Sequence, residues 1–386
     1  MSRIAVLGAG RVGRAIALDL AARHEVRVAD ADAAALTALE EDAAARSLRL
    51  ATGVLDALDG AAVAALVADA DLAVSAVPGS LGFAVLGNLI RADVDVVDIS
   101  FFPEDPFLLD AEARERGRFA VVDAGVAPGL DNLVLGHHAA RMEVDDFACL
   151  VGGLPFERAW PFQYKAPFSP ADVIEEYLRP ARLREHGRDL ERPALCDPEL
   201  VDFDGIGTLE AFLTDGLRTL LRTLPEVRNM REKTLRWPGH RELVLGLARA
   251  GFFDETPLAM RDASGAEVAV RPRDAVSAIL FRDWALGPSD REFTVMRVDV
   301  SGRTPDGEPL RVRYELRDAG DPETRTSSMA RTTGYTCTGI VEWVLGDAFE
   351  ERGVVAPERL GAAEGALEFV LRHLDERGVL VVRDLP

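Results

Sequence analysis

The feature that most restricts the fold is a glycine loop, Gly8-Ala9-Gly10-Arg11-Val12-Gly13, set between the aliphatic run Arg3–Leu7 and a helical pattern over Arg14–Ala22. Strand, glycine turn and helix in that order open a dinucleotide-binding βαβ unit. In such a loop Gly8 takes the tight turn, Gly10 lets the backbone approach a pyrophosphate, and Gly13 lets the helix pack on the strand. Arg11 and Val12 then begin a helix whose N-terminus attracts phosphate. A second apolar run, Glu25–Ala29, ends at Asp30, where a carboxylate would accept hydrogen bonds from an adenosine ribose. No basic residue occurs between Asp30 and Arg46 to neutralise a 2′-phosphate, so the pattern predicts NAD in preference to NADP.

Strand-like runs around Ser47–Ala51, Asp71–Val77, Val94–Ile99 and Phe119–Val122 then alternate with helical patterns at Ala33–Ala45, Gly60–Ala68, Phe83–Arg91 and Leu109–Arg116. That rhythm predicts an α/β fold, a doubly wound parallel sheet over residues 1–135. Ligands in such sheets bind at the carboxyl ends of the strands, which singles out Val77, Pro78 and Ser100. The same rule singles out the turn opening with Asp123, Ala124 and Gly125, before a helix start at Asp131 or Asn132. Past Gly136 the texture changes to longer loops and alternating strands, among them Phe293–Val300 and Leu310–Leu316 joined by a turn at Arg303–Pro309. With helical patterns at Pro170–Leu178, Thr208–Thr223 and Arg241–Ala250, residues 136–334 read as a second, α+β domain with an antiparallel sheet. Helices over Tyr335–Phe349 and Arg359–Arg377 predict that 335–386 packs back on the first domain.

At 386 residues the chain exceeds one ordinary core. A formal charge of −21 makes nucleic acid and anionic membrane surfaces poor partners. No apolar run is long enough to span a bilayer, and the first strand leaves no room for a signal peptide, so a cytoplasmic protein is expected. The three cysteines show no zinc-like spacing with the histidines, so no metal is expected. Of 44 basic residues only Lys165 and Lys233 are lysine. Rarity marks them as positions where arginine was not an acceptable replacement. Lysine alone of the two has a pKa that burial can bring towards neutrality. Lys165 lies beside Gln163 and Tyr164. Lys233 lies in the segment that also holds Arg231, Arg236 and His240. Lys165 or His240 is therefore the expected proton acceptor, with Tyr164 beside them, while Lys233, Arg236 and Arg231 are the expected clamp for a substrate carboxylate. His137 and His138 read as solvated helix positions.

These residues resemble the saccharopine dehydrogenase family, in its branch of NAD-dependent lysine 6-dehydrogenases. The likeness runs through the glycine loop, Phe101-Phe102-Pro103-Glu104-Asp105-Pro106, the Val122–Asn132 turn, Val151-Gly152-Gly153-Leu154-Pro155, Thr208–Leu220 and Glu232–His240. It implies an amino-acid substrate and NAD-dependent oxidative deamination of the lysine side-chain amine, with the central domain making a homodimer. The same family contains saccharopine reductases and enzymes of carboxylated polyamines, and these remain alternatives, as does a non-catalytic NAD-binding redox sensor.

Overall fold

Six short strands open the chain: β1 (Arg3–Leu7), β2 (Glu25–Asp30), β3 (Ala51–Val54), β4 (Leu72–Ser75), β5 (Val96–Asp98) and β6 (Phe119–Val121). The computed structural model, which describes residues 1–287, 290–346 and 349–384, places them parallel in the order β3-β2-β1-β4-β5-β6. The strand order reverses between β1 and β4, and that reversal opens a crevice at their carboxyl ends. Ile4 to Leu7 and Leu72 to Val74 are buried, the reason both strands read as unbroken aliphatic runs. The helix expected from Phe83 starts instead at Gly79, directly after Pro78. The strand expected around Ser47–Ala51 is Ala51–Val54, a mostly exposed edge.

The second sheet is built from β7 (Glu143–Pro155), β8 (Ala181–Glu185), β9 (Arg188–Arg192), β10 (Glu199–Phe203), β11 (Gly207–Leu213) and β12 (Asn229–Arg236). After a separate hairpin, β13 (Leu258–Arg261) and β14 (Glu267–Val270), come β15 (Glu292–Arg303) and β16 (Pro309–Ala319). The order is β10-β11-β12-β7-β15-β16, with β8 beside β12 and β9 beside β8. Because β7 and β12 run parallel, the sheet is mixed and not antiparallel throughout as the alternation suggested. The helix expected over Thr208–Thr223 is also corrected. Its first half is β11, paired with β12, and only Leu220–Thr223 turns helical. Leu209 to Leu213 are all buried, so this strand lacks the alternation that distinguishes strand from helix.

The C-terminal segment contributes to both sheets. The helix Ser328–Val344 packs on Arg11–Ala21, with Gly334 against Ala15 and Ile16. Next, β17 (Gly353–Val355) extends the first sheet beside β6, and β18 (Leu380–Asp384) extends the second beside β16. One apolar core runs through Val6 of the first sheet and Ile16 of the helix after it, Phe147, Met296 and Leu316 of the second sheet, and Ile340 and Leu374 of the C-terminal helices. The helix Leu130–Ala139 sits inside it. His137 and His138 are consequently buried and not solvated, and His138 Nε2 shares a 3.1 Å hydrogen bond with the Tyr314 hydroxyl. Among the described residues no helix is long and apolar enough to cross a membrane.

Candidate active site

A cavity of about 700 Å³ joins the glycine loop at the sheet reversal to one face of β12. At its outer end Gly8 has φ +104°, and a Cβ there would overlap the Ala76 carbonyl. A Cβ on Gly13 would overlap that of Gly8. Gly10 is different, since a Cβ on it would meet nothing within 4 Å. The helix Arg11–Ala21 begins at Gly10 with no side-chain cap, so its first N–H groups are left for an anion at that open position. The Asp30 carboxylate accepts from Ala9 N at 2.6 Å and from Asp32 N at 2.8 Å, tying the loop to the end of β2 while facing the cavity. Asp56 lines the same end. These features fit a nicotinamide dinucleotide, with the pyrophosphate over Gly10 and a ribose near Asp30.

Arg11, Val12, Val77, Pro78, Ser100 and Gly125 also line the cavity. Arg11 reaches across it, donating to the carbonyls of Ala166 at 3.2 Å and Leu286 at 3.1 Å. Ser100 donates to Asp98 at 2.8 Å, and burial pushes the Asp98 carboxyl up to about 7. Asp123 and Ala124, expected at the cofactor, lie beneath the surface instead. Asp123 forms a buried ion pair with Arg218 at 2.9 Å, and Ala124 N bonds the Asp98 carbonyl, so the turn presents Gly125 to Pro128 to the cavity.

At the inner end strand geometry decides which residues face the cavity. Side chains alternate along β12. Glu232, Thr234 and Arg236 face the cavity, while Arg231 and Lys233 point to the other face. Lys233, only 2% exposed, is held there by Asp197 at 2.9 Å and Glu199 at 2.8 Å. Of the expected carboxylate clamp, only Arg236 therefore reaches the cavity. Its Nε donates to the Tyr177 hydroxyl at 2.7 Å, its guanidinium lies 4.6 Å above the Tyr164 ring, and Glu176 is 3.7 Å away. Burial opposes the Arg236 charge, but Tyr164, Tyr177 and Glu176 more than offset it and hold the cation.

The expected proton acceptors are also displaced. His240 is fully buried between Phe162 O and the Tyr177 hydroxyl, and burial with the nearby Arg236 charge pushes it down to about 3. A base so weak stays unprotonated at neutral pH. Lys165 is half-buried outside the cavity, with Nζ 2.6 Å from the Asp283 carbonyl. Tyr164 lies behind Arg236, and burial raises its hydroxyl to about 12.

The groups that do converge are Glu176 from the helix Pro170–Leu178, Thr214 and Asp215 after β11, and Glu232 and Thr234 of β12. Thr214 donates to Glu232 Oε2 at 2.7 Å and lies 2.8 Å from the Thr234 hydroxyl, which in turn donates to Glu176. Asp215 is neutralised by Arg182, with two contacts at 2.8 and 2.9 Å. The inner wall is thus acidic, with Arg236 as its cation. None of these acidic residues was singled out from sequence. The alternation Glu232-Lys233-Thr234-Leu235-Arg236 was the available signal, and it becomes readable only once that segment is known to be a strand.

Comparison with known proteins gives two matching family descriptions. Residues 4–121 match the saccharopine dehydrogenase NADP-binding domain and residues 125–379 the saccharopine dehydrogenase C-terminal domain. A relative from Pyricularia oryzae, named saccharopine dehydrogenase (NADP(+), L-glutamate-forming), is 25% identical over 78% of this chain and 82% of its own length. The protein of that name from Saccharomyces cerevisiae is 24% identical over 92% of this chain and 93% of its own. The apo structure of the yeast saccharopine dehydrogenase (L-Glu forming) superposes over the whole of both chains with a TM-score of 0.78 at 21% identity, a likeness of fold.

Proposed function

This chain belongs to the saccharopine dehydrogenase family, and on that footing we propose that it is an NAD-dependent oxidoreductase acting on the C–N bond of an amino acid. The reaction is oxidative deamination of a side-chain amine, with lysine the best-fitting substrate. The observation that carries this reading is the inner wall of the cavity, where Glu176 and Glu232 stand with Arg236 at the end of a dinucleotide-sized crevice. Arg236 offers one fork for one carboxylate. The acidic groups favour a cationic amine beside it. When bound, the nicotinamide supplies the hydride acceptor.

Within this reading Gly10 and the helix start hold the pyrophosphate, Asp30 the ribose, and Arg236 the substrate carboxylate. Tyr164, Tyr177 and His240 act as positioning residues. They enclose the guanidinium and fix its direction through a shared chain of contacts. Lys165 and Lys233, engaged elsewhere, take no part in the chemistry. NAD is favoured over NADP because a 2′-phosphate near Asp30 would also meet Asp56, two carboxylates at one end of the cavity. The enclosed, charged inner wall speaks against a cofactor-binding sensor, which needs no second site.

A second reading, saccharopine with NADP, is favoured by the names of the relatives. Saccharopine brings three carboxylates, and Arg11 and Arg236 are the cations among the described lining residues. Following reduced nicotinamide with lysine, ornithine, saccharopine and simple diamines, each with NAD and with NADP, separates the two. Turnover with lysine and NAD supports the first reading, and turnover with saccharopine alone replaces it with the second.

A further inference from the structure

We propose that Glu232 is the catalytic base of this site, taking a proton from the substrate ammonium at Oε1 and passing it through Thr214 and Thr234 to Glu176. This rests on the reading of the cavity as an amine-oxidising site. The four acidic groups of the inner region differ in what already holds them. Asp215 is bound by Arg182, Glu176 is beside Arg236 and accepts from Thr234, and Asp172 lies near the Ser169 hydroxyl at the start of its helix. Glu232 has one hydrogen bond, from Thr214 to Oε2. Among the described residues Oε1 has no partner, although the side chain is only 4% exposed and lines the cavity. A buried carboxylate oxygen left open on the side of a ligand cavity is placed to meet a donor from that ligand. The backbone makes room for it, because a Cβ on Gly216 would collide with the Glu232 side chain.

Burial raises the Glu232 carboxyl to about 8, against the Thr214 hydrogen bond, which lowers it. The charged and titratable groups facing it are Glu176 from the helix Pro170–Leu178, Asp215 after β11, Asp131 from the helix Leu130–Ala139 and Cys149 on β7. Burial, with the neighbouring carboxyl groups of Glu176, Asp131 and Asp215, resists its ionisation until a cation arrives. The substrate ammonium is that cation. Proton transfer converts R–CH2–NH3+ and the Glu232 carboxylate to R–CH2–NH2 and the acid. The C–H electron pair then leaves with its hydrogen as hydride to the nicotinamide, and the nitrogen lone pair forms the C=N bond. Water adds to that iminium, giving the aldehyde and ammonium. A half-turn of the protonated carboxyl brings this proton to the Thr214 hydroxyl, 2.7 Å away; Thr214 releases its own proton across 2.8 Å to Thr234, and Thr234 releases its own to Glu176, whose side chain is 17% exposed.

The test uses Glu232→Gln, which keeps the shape and the Thr214 contact, and Thr214→Val, which keeps the carboxylate and cuts the relay. Calorimetric binding of lysine and of norleucine, which lacks the side-chain amine, is measured from pH 6 to 10 together with kcat over that range. Lysine affinity in the wild type should rise through about pH 8 while norleucine affinity does not. In Glu232→Gln the rise should vanish, and kcat should fall about 100-fold or more with NAD affinity within twofold. Thr214→Val should move the rise to higher pH, because the bond that favours the carboxylate is gone. A Glu232→Gln enzyme with kcat within threefold and an unchanged pH limb overturns the proposal alone. A wild type that binds lysine with the expected rise but oxidises no amine overturns the functional reading while leaving the charge assignment of Glu232. A wild type that does not bind lysine overturns both.

Discussion

In the proposed reading Arg236 would bind the substrate carboxylate, and its surroundings explain why a lysine would not replace it. Its planar cation lies on the Tyr164 ring, bonds the Tyr177 hydroxyl and faces Glu176, contacts that use the shape of a guanidinium as much as its charge. Arg236→Ala should raise KM for the amino acid about 100-fold or more, consistent with the roughly 2–5 kcal/mol lost when one partner of a buried charged pair is truncated. NAD affinity, read by titration of protein fluorescence, should stay within a few-fold. An unchanged KM would remove Arg236 from the binding role. Chemistry at this scale was legible in part. Residue type alone selected Arg236, but it selected Lys233 and Arg231 with equal force. Rarity was a misleading guide to Lys233, because that position needs a compact cation between Asp197 and Glu199 and not a reactive one.

The element scale explains that division. A strand turns alternate residues to opposite faces, so one assignment of β12 as a strand would have divided Glu232, Thr234 and Arg236 from Arg231 and Lys233. The glycine loop was readable because its local geometry is nearly independent of the rest of the chain. The Asp131 turn was readable only as a turn, because its depth depends on packing against distant segments. The Asp131 carboxyl accepts from Gly129 N at 2.9 Å, and burial holds it at about 7, against an ordinary 3.8. The native state therefore holds this proton more tightly than the unfolded chain does. The stability that the proton confers is full below the ordinary value and is lost as pH rises through about 7. Asp98 and Glu292, both pushed up to about 7 by burial, act in the same direction. The melting temperature should thus fall between pH 5 and pH 8, and Asp131→Asn, which keeps the acceptor, should make that fall shallower. Equal slopes in the two proteins would contradict the buried, protonated carboxyl.

At the scale of the whole molecule, the two sheets share one core and enclose a cavity that neither would form alone. The fold class was legible from the alternation of strands and helices in the first third of the chain. The mixed second sheet was not, because its parallel pair, β7 with β12, joins segments about eighty residues apart and leaves no local trace. With a net charge of −21 on the chain and an acidic inner wall, the field would draw in the proposed cationic substrate and repel an anionic one. Raising ionic strength should lower kcat/KM for lysine and leave kcat nearly unchanged, as screening shortens the reach of that field. No salt dependence would indicate that the surface charge has no part in substrate capture. The most direct test of the central claim is the ratio of kcat/KM for lysine with NAD to that for saccharopine with NADP, measured on the same preparation. A ratio above about 100 is expected from one cation facing an acidic wall, whereas a ratio below one would contradict the assignment of this cavity to a cationic amine.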